Sequence, residues 1–210
     1  MRKWLKKCVA SLCAATIAFS GMYIVGIDST KEVQADGEYK LVWSDEFDGT
    51  ELNRNNWNVE VNGNGGGNNE LQYYVDNTKN LEVSNGTLKI HALRENYGNK
   101  SYTSGRINSK GKQEFKYGKI EARMKLPRFS GIWPAFWTLG ANYNTVGWPK
   151  CGEMDIMEAI NDNNTVFANL HWSYKNTQAD TKGKKYDVGD RTQWHTYGME
   201  WDENSAAFYV

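Results

Sequence analysis

The chain has 210 residues, with 25 basic and 25 acidic side chains and a formal net charge of zero. That balance excludes the dense positive surface a nucleic-acid binder needs. Of its three cysteines, Cys8 and Cys13 lie at the N-terminus and only Cys151 lies beyond it, so no internal disulfide is expected and the fold must be held by its core.

In chain order, the first feature is a basic start, Arg2, Lys3, Lys6 and Lys7, followed by an apolar run from Val9 to Ile27 and a polar stretch ending Val33-Gln34-Ala35. This is the layout of a secretory signal peptide. The competing reading is a membrane anchor, because the run approaches the roughly 20 residues of a spanning helix. Ser20, Gly21 and Gly26 inside the run, and the small residue that closes the polar stretch, favour cleavage after Ala35. Neither Cys8 nor Cys13 sits in the small-residue pattern of a lipid-modified cysteine. Residues 1–35 are therefore set aside as a leader, and the protein is expected to be secreted and free of the membrane after cleavage. Residues 36–210 carry 20 basic and 23 acidic side chains and are long enough for one large domain.

Short alternating segments separated by turn signals follow, and none keeps an apolar repeat at helical spacing, so an all-β domain is predicted. Strands are expected at 41–43, 81–83, 87–93, 102–108, 119–126, 135–139, 153–159, 166–171 and 197–201. In 119–126, Ile120, Ala122, Met124 and Leu126 share one face, and Pro127 ends the strand. Asn85-Gly86 is a two-residue hairpin turn, since both central positions need positive φ. This spacing of strands suggests a β-sandwich. The chain stops in an apolar strand pattern, Ala207-Phe208-Tyr209-Val210, and is expected to be a domain incomplete at its C-terminus, unstable or inactive when expressed alone.

The segment from Gly152 to Ala159 sets three carboxylates in an otherwise apolar strand: Glu153, Asp155 and Glu158. On a helix they would point in scattered directions. On a strand Glu153 and Asp155 share a face, with Met154 and Ile156 turned to the core. Glu158 lies five positions after Glu153, an odd offset that puts it on the wrong face unless one residue is inserted, so a β-bulge is predicted near Ile156-Met157. Three acids on one face suit glycoside hydrolysis, in which one carboxyl attacks the anomeric carbon and another protonates the leaving oxygen. A solvated acidic face is the bland alternative.

Eight tryptophans remain after the leader, several beside Gly, Pro or Asn, as expected of sugar-stacking platforms as well as of core residues. The Gly-rich run 63–67 lacks the Lys-Ser/Thr of a phosphate loop and is read as a loop at a cleft rim. His91, His171 and His195 show no paired spacing for zinc. Cys151 has no nearby histidine and is read as a half-buried thiol.

These residues resemble glycoside hydrolase family 16, in its laminarinase-like branch. Glu153, Asp155 and Glu158 match the longer form of the family's Glu-x-Asp-x-x-Glu signature. Similar motifs run through 41–49, 68–74, 102–106, 132–137 and 147–149. The resemblance implies a jelly-roll β-sandwich of two curved antiparallel sheets with a concave-face cleft. It implies Glu153 as nucleophile, Asp155 as supporting acid and Glu158 as general acid/base. Trp133 and Trp137 match tryptophans beside the cleaved bond, and Asn69, Arg106, Trp148 and His171 match further sugar contacts. It also implies a structural calcium at Glu46 and the Gly86 carbonyl, no cofactor for catalysis, a polysaccharide partner and a monomer. The implied activity is retaining hydrolysis of β-1,3-glucan. The alternatives are mixed-linkage 1,3-1,4-glucanase activity and non-hydrolytic β-glucan binding.

Overall fold

The computed structural model describes residues 9–13, 17–26, 39–173 and 179–210, with side chains from residue 39 onward. The strands, in chain order, begin with β1 (Val9–Cys13), β2 (Ile17–Gly26), β3 (Lys40–Asp45), β4 (Asn58–Val59) and β5 (Gln72–Tyr74). They continue through β6 (Leu81–Ser84), β7 (Thr87–Ile90), β8 (Tyr102–Ser104), β9 (Arg106–Asn108), β10 (Gly118–Lys125) and β11 (Ala135–Leu139). After a single helical turn, α1 (Tyr143–Val146), come β12 (Glu153–Ala159), β13 (Thr165–Trp172), β14 (Asp180–Asp187), β15 (His195–Trp201) and β16 (Ala206–Tyr209).

One sheet runs β14-β13-β12-β11-β1-β9-β4, and the other runs β16-β15-β10-β2-β7-β6 with β3 paired to β2. A parallel ribbon of β5 and β8 stands beside them. This is the β-sandwich expected from the alternating segments, in the jelly-roll form that the family resemblance implied. Its core is the layer between the sheets, where Ile120, Ala122 and Met124 of β10 meet Met154, Ile156 and Met157 of β12 and Tyr197 and Met199 of β15. The alternation read in residues 119–126 is the observed one: Ile120, Ala122, Met124 and Leu126 are all buried. Each of these side chains contributes about 1.5–3 kcal/mol by leaving water, with alanine at the low end.

Two strands fall inside the segment set aside as a leader. β1 lies between β9 and β11, and β2 lies between β7 and β10. A largely apolar run suits an export sequence and a strand in the middle of a sheet equally well. Elsewhere, the expected strand 102–108 divides at Gly105 into β8 and β9, which belong to different sheets. At Gly105 a Cβ would lie 2.9 Å from Leu81 Cγ and 3.1 Å from Ile90 Cγ2, so only glycine lets the chain pass this close to the core.

Arg191 joins two loops at one end of the sandwich. Its side chain is fully buried, and its guanidinium donates to the Pro127 carbonyl from Nε (3.1 Å) and Nη2 (2.8 Å) and to the Asn161 carbonyl from Nη2. The loop that follows Pro127 borders the cleft described below through Phe129, Ser130 and Gly131. Replacing Arg191 with Leu removes every one of these donors and should lower the unfolding free energy by about 3 kcal/mol. Urea denaturation of parent and variant checks this, and an unchanged midpoint would remove Arg191 from its structural role.

Candidate active site

β12 carries the bulge that strand parity requires. From Asp155 to Glu158 it advances three residues while β13 advances two, from Asn169 to Phe167. On the other side, Trp137 pairs with Asp155 and Phe136 with Met157, which leaves Ile156 as the extra residue. Ile156 and Met157 both enter the core, and Glu158 returns to the face that holds Glu153 and Asp155. That face is the floor of a cleft of ≈1240 Å³.

Six candidate sugar contacts remain to be placed against this cleft. Arg106, Trp133, Trp137, Trp148 and His171 all line it. Trp133 and Trp148 keep 37% and 47% of their surface exposed, whereas Trp57 and Trp201 are core residues. The tryptophans therefore divide between platform and core, but not by their neighbours alone, since Trp57 lies between Asn56 and Asn58 and is in the core. Asn69 does not line the cleft: it sits at φ 57° in the Gly-rich rim loop, and its neighbours Asn68 and Glu70 line the cleft instead. The side chain of Arg106 is already engaged, with its guanidinium 4.8 Å from the Trp137 ring centroid and 5.7 Å from that of Tyr74, and with Nε donating to Glu60 at 3.0 Å. This stack fixes the plane of Trp137 on the cleft floor.

The carboxylates differ in their partners. Trp133 Nε1 donates to Glu158 Oε1 at 2.8 Å, and Asn169 Nδ2 donates to Glu158 Oε2 at 2.7 Å. The indole of Trp148 and the carboxyl of Asp155 both hydrogen-bond Glu153. Asp155, 3% exposed, lies 3.1 Å from His171 Nε2, while His171 Nδ1 is 2.9 Å from Thr181 Oγ1. Burial first, and then repulsion from Asp155, push Glu153 up to about 8. The same two causes raise Glu158, against the donors from Asn169 and Trp133. His171 is raised chiefly by its bond to Asp155. Glu153 is thus held well above the ordinary carboxylate range by its burial and by the neighbouring carboxylate.

Among the described residues, Glu153, Asp155 and His171 are the group of three or more His, Cys, Asp or Glu side chains whose ligand atoms lie within 4.8 Å of one another. Glu46 belongs to no such group. The Asn85-Gly86 turn has φ 53° and 67°, as its sequence predicted, and a Cβ on Gly86 would lie 3.6 Å from Asp48 Oδ1, so a carboxylate two residues from Glu46 borders the turn. Cys151 is buried, not half-buried, and burial pushes its thiol up, which makes it a poor nucleophile. Two cleft residues escaped the sequence reading. Asn169 had a signal, because it alternates with Ala168 and Leu170 and shares a face with His171. Glu60 had none, because its ion pair with Arg106 spans 46 residues.

The model of the family described as glycosyl hydrolases family 16 matches residues 67–210. The chain is 35% identical to a beta-glucanase of Rhodothermus marinus, over 98% of this chain and 73% of that one. It is 41% identical to the clotting factor G alpha subunit of Tachypleus tridentatus over 82% of its own length, and spans 25% of that protein. The fold matches the catalytic domain of an endo-1,3-beta-glucanase (laminarinase) from Thermotoga petrophila RKU-1 with a TM-score of 0.74 at 41% identity, covering 82% of this chain and 73% of that one.

The electrostatics give a sign for stability. Glu153, Glu158 and His171 all bind protons more tightly in the folded chain than in the unfolded one. For Glu153 the favourable term is complete below its ordinary value of 4.5 and is lost as pH rises toward about 8. Stability should therefore fall between pH 5 and 8 in the parent. A Glu153→Gln variant should lose about 1 kcal/mol less, or better, over that range, and should be the more stable of the two at pH 8. Urea titrations at several pH values check this, and equal slopes would contradict it.

Proposed function

The chain belongs to glycosyl hydrolases family 16, and from that membership we propose that it is a retaining endo-glycosidase acting on β-1,3-linked glucan. The observation that carries the reading is the set of three carboxylates brought to the cleft floor by the bulge in β12. Glu153 attacks the anomeric carbon as its carboxylate, with Asp155 beside it as the supporting acid. Glu158 gives its proton to the departing glycosidic oxygen. Cleavage leaves a glycosyl ester on Glu153, and Glu158, now ionised, takes a proton from the water that hydrolyses it. Two inversions at one carbon return the β-configuration.

The cleft walls support a polymeric substrate. Indole faces stack on the apolar faces of sugar rings, and the exposed rings of Trp133 and Trp148 are arranged for this on either side of the acids. The laminarinase likeness favours β-1,3 linkages. Residues 1–35 are read as a leader for export, and the mature protein as a monomer. A structural calcium at Glu46 and the Gly86 carbonyl, with Asp48 beside the turn, completes the reading; it would stabilise the fold and take no part in the chemistry.

Glu153→Gln and Glu158→Gln should each lower turnover of laminarin at least about 10³-fold while leaving binding to the polysaccharide nearly unchanged. A panel of laminarin, curdlan, lichenan and agarose fixes the linkage, with laminarin and curdlan expected to be cleaved fastest. Proton NMR of the first product should show the β-anomer. Undiminished turnover in either variant removes these residues from their roles, an initial α-anomer removes the retaining mechanism, and binding without hydrolysis by the parent replaces the enzyme with a binding protein.

A further inference from the structure

We infer that Asn169 is the positioning residue for the Glu158 carboxyl, and that position 183 is glycine because the Asn169 amide occupies the space a side chain there would fill. The inference rests on the reading of Glu158 as acid/base. In the β12–β13 ladder Asn169 stands opposite Asp155, and Glu158 stands opposite Phe167. Asn169 therefore reaches past its own partner to donate from Nδ2 to Glu158 Oε2 at 2.7 Å. Its other amide atom, Oδ1, is turned toward β14, where the residue directly opposite is Gly183. A Cβ on Gly183 would overlap Asn169 Oδ1, would lie 2.9 Å from Asn169 Cγ and would lie 2.8 Å from the Ala168 carbonyl oxygen.

Glycine in a strand interior is unfavourable, and it is normally kept for a turn, a bulge or a close approach. Gly183 is in the middle of β14, in an unshifted ladder with β13, and its φ is outside the left-handed region. A close approach is the remaining reason, and the atom that approaches most closely is Asn169 Oδ1, with the Ala168 carbonyl oxygen next.

The consequence for Glu158 follows from hydrogen-bond directions. With Trp133 Nε1 on Oε1 and Asn169 Nδ2 on Oε2, the carboxyl plane is pinned from both sides. A group that must first donate a proton and later accept one at the same place gains from a fixed plane. Both N–H donors favour the anion, and so oppose burial and the Asp155 charge. The charged groups that face Glu158 are Asp155 and Glu153 on its own strand and His171 on β13; Lys185 on β14 shares that face. β11, which pairs through Ala135, Phe136, Trp137, Thr138 and Leu139, offers no charged side chain beside the carboxylate strand. Loss of the Asn169 donor should therefore move the proton affinity of Glu158 upward.

The test uses the complete gene product in four forms: parent, Asn169→Ala, Gly183→Ala and the double variant. Asn169→Ala should shift the alkaline limb of kcat/KM on laminarin upward by at least about half a pH unit and lower kcat by about 10–100-fold, with KM changed less than about threefold. Gly183→Ala should show the same shift, and the double variant should be no worse than Asn169→Ala. Thermal melting gives a reading that needs no activity: Gly183→Ala should lower Tm more in the parent than in the Asn169→Ala background, where only the Ala168 carbonyl still crowds the new methyl. An unshifted pH limb in Asn169→Ala overturns the positioning role. Equal Tm losses in both backgrounds overturn the explanation of Gly183. An inactive parent sinks the reading of Glu158 as acid/base, while the melting comparison still decides the contact between Asn169 and Gly183.

Discussion

A β-strand has two faces, and three carboxylates of this chain have to share one of them at the centre of a sheet. Because the side-chain period is two, Glu153 and Glu158, five residues apart, fall on opposite faces of any regular strand. A single extra residue at Ile156 resolves the conflict. It turns Ile156 and Met157 into the core together and brings Glu158 back to the cleft. Without the bulge, Glu158 would be an ionisable group among Met124, Met154 and Tyr197, and the cost of burying it unpaired would exceed the gain from any neighbouring core side chain. The packing of the core and the chemistry of the cleft thus depend on the same inserted residue.

Gathering the acids creates the second constraint, which is repulsion in a poorly hydrated place. Lys and Arg side chains do not interleave on the β12 face. The charge is managed instead by hydrogen-bond donors and one histidine: Trp148 at Glu153, His171 at Asp155, and Trp133 with Asn169 at Glu158. Neutral donors have an advantage in this position. A lysine at bonding distance would pull a carboxyl toward permanent ionisation, whereas an indole or amide N–H lowers proton affinity by a smaller amount and leaves the group able to cycle. The upward shifts that remain at Glu153 and Glu158 destabilise the fold at neutral pH, a common pattern where a site is arranged for chemistry and not for stability.

Much of this was legible in the sequence, and the reasons are particular. β10 and β12 could be read because one face of each is apolar and the other charged, so periodicity reports both the strand and its orientation. The Asn85-Gly86 turn could be read because φ restricts it to few residues. β14 could not, since Asp180–Asp187 is polar at nearly every position and has no face to detect; it is a strand because β13 pairs with it across the full ladder. The expected strand at 102–108 was real in its ends and wrong in its continuity, because the pivot at Gly105 is imposed by Leu81 and Ile90, which lie 24 and 15 residues earlier in the chain. Residues 9–26 show the limit of composition: hydropathy alone does not distinguish an export run from a central strand. At the site, residue types in a motif could be assigned, but contacts between distant segments could not. Hence Arg106 was placed while its partner Glu60 was missed, and Asn69 was placed one position from the residues that reach the cleft.

The asymmetry between the two glutamates has the same origin as the bulge. Glu153 precedes the extra residue and stays in regular register with Asp155, two positions on, so the two carboxyls stand side by side and Asp155 raises the proton affinity of Glu153. Glu158 follows the extra residue, which moves it out of that register and away from direct bonding with Asp155; it meets Trp133 and Asn169 instead. In the proposed mechanism the glutamate beside a second carboxyl is the nucleophile, and the one held by two neutral donors is the acid/base. Two residues of the same type on the same strand acquire different chemistry because a single residue inserted between them changes what each one faces.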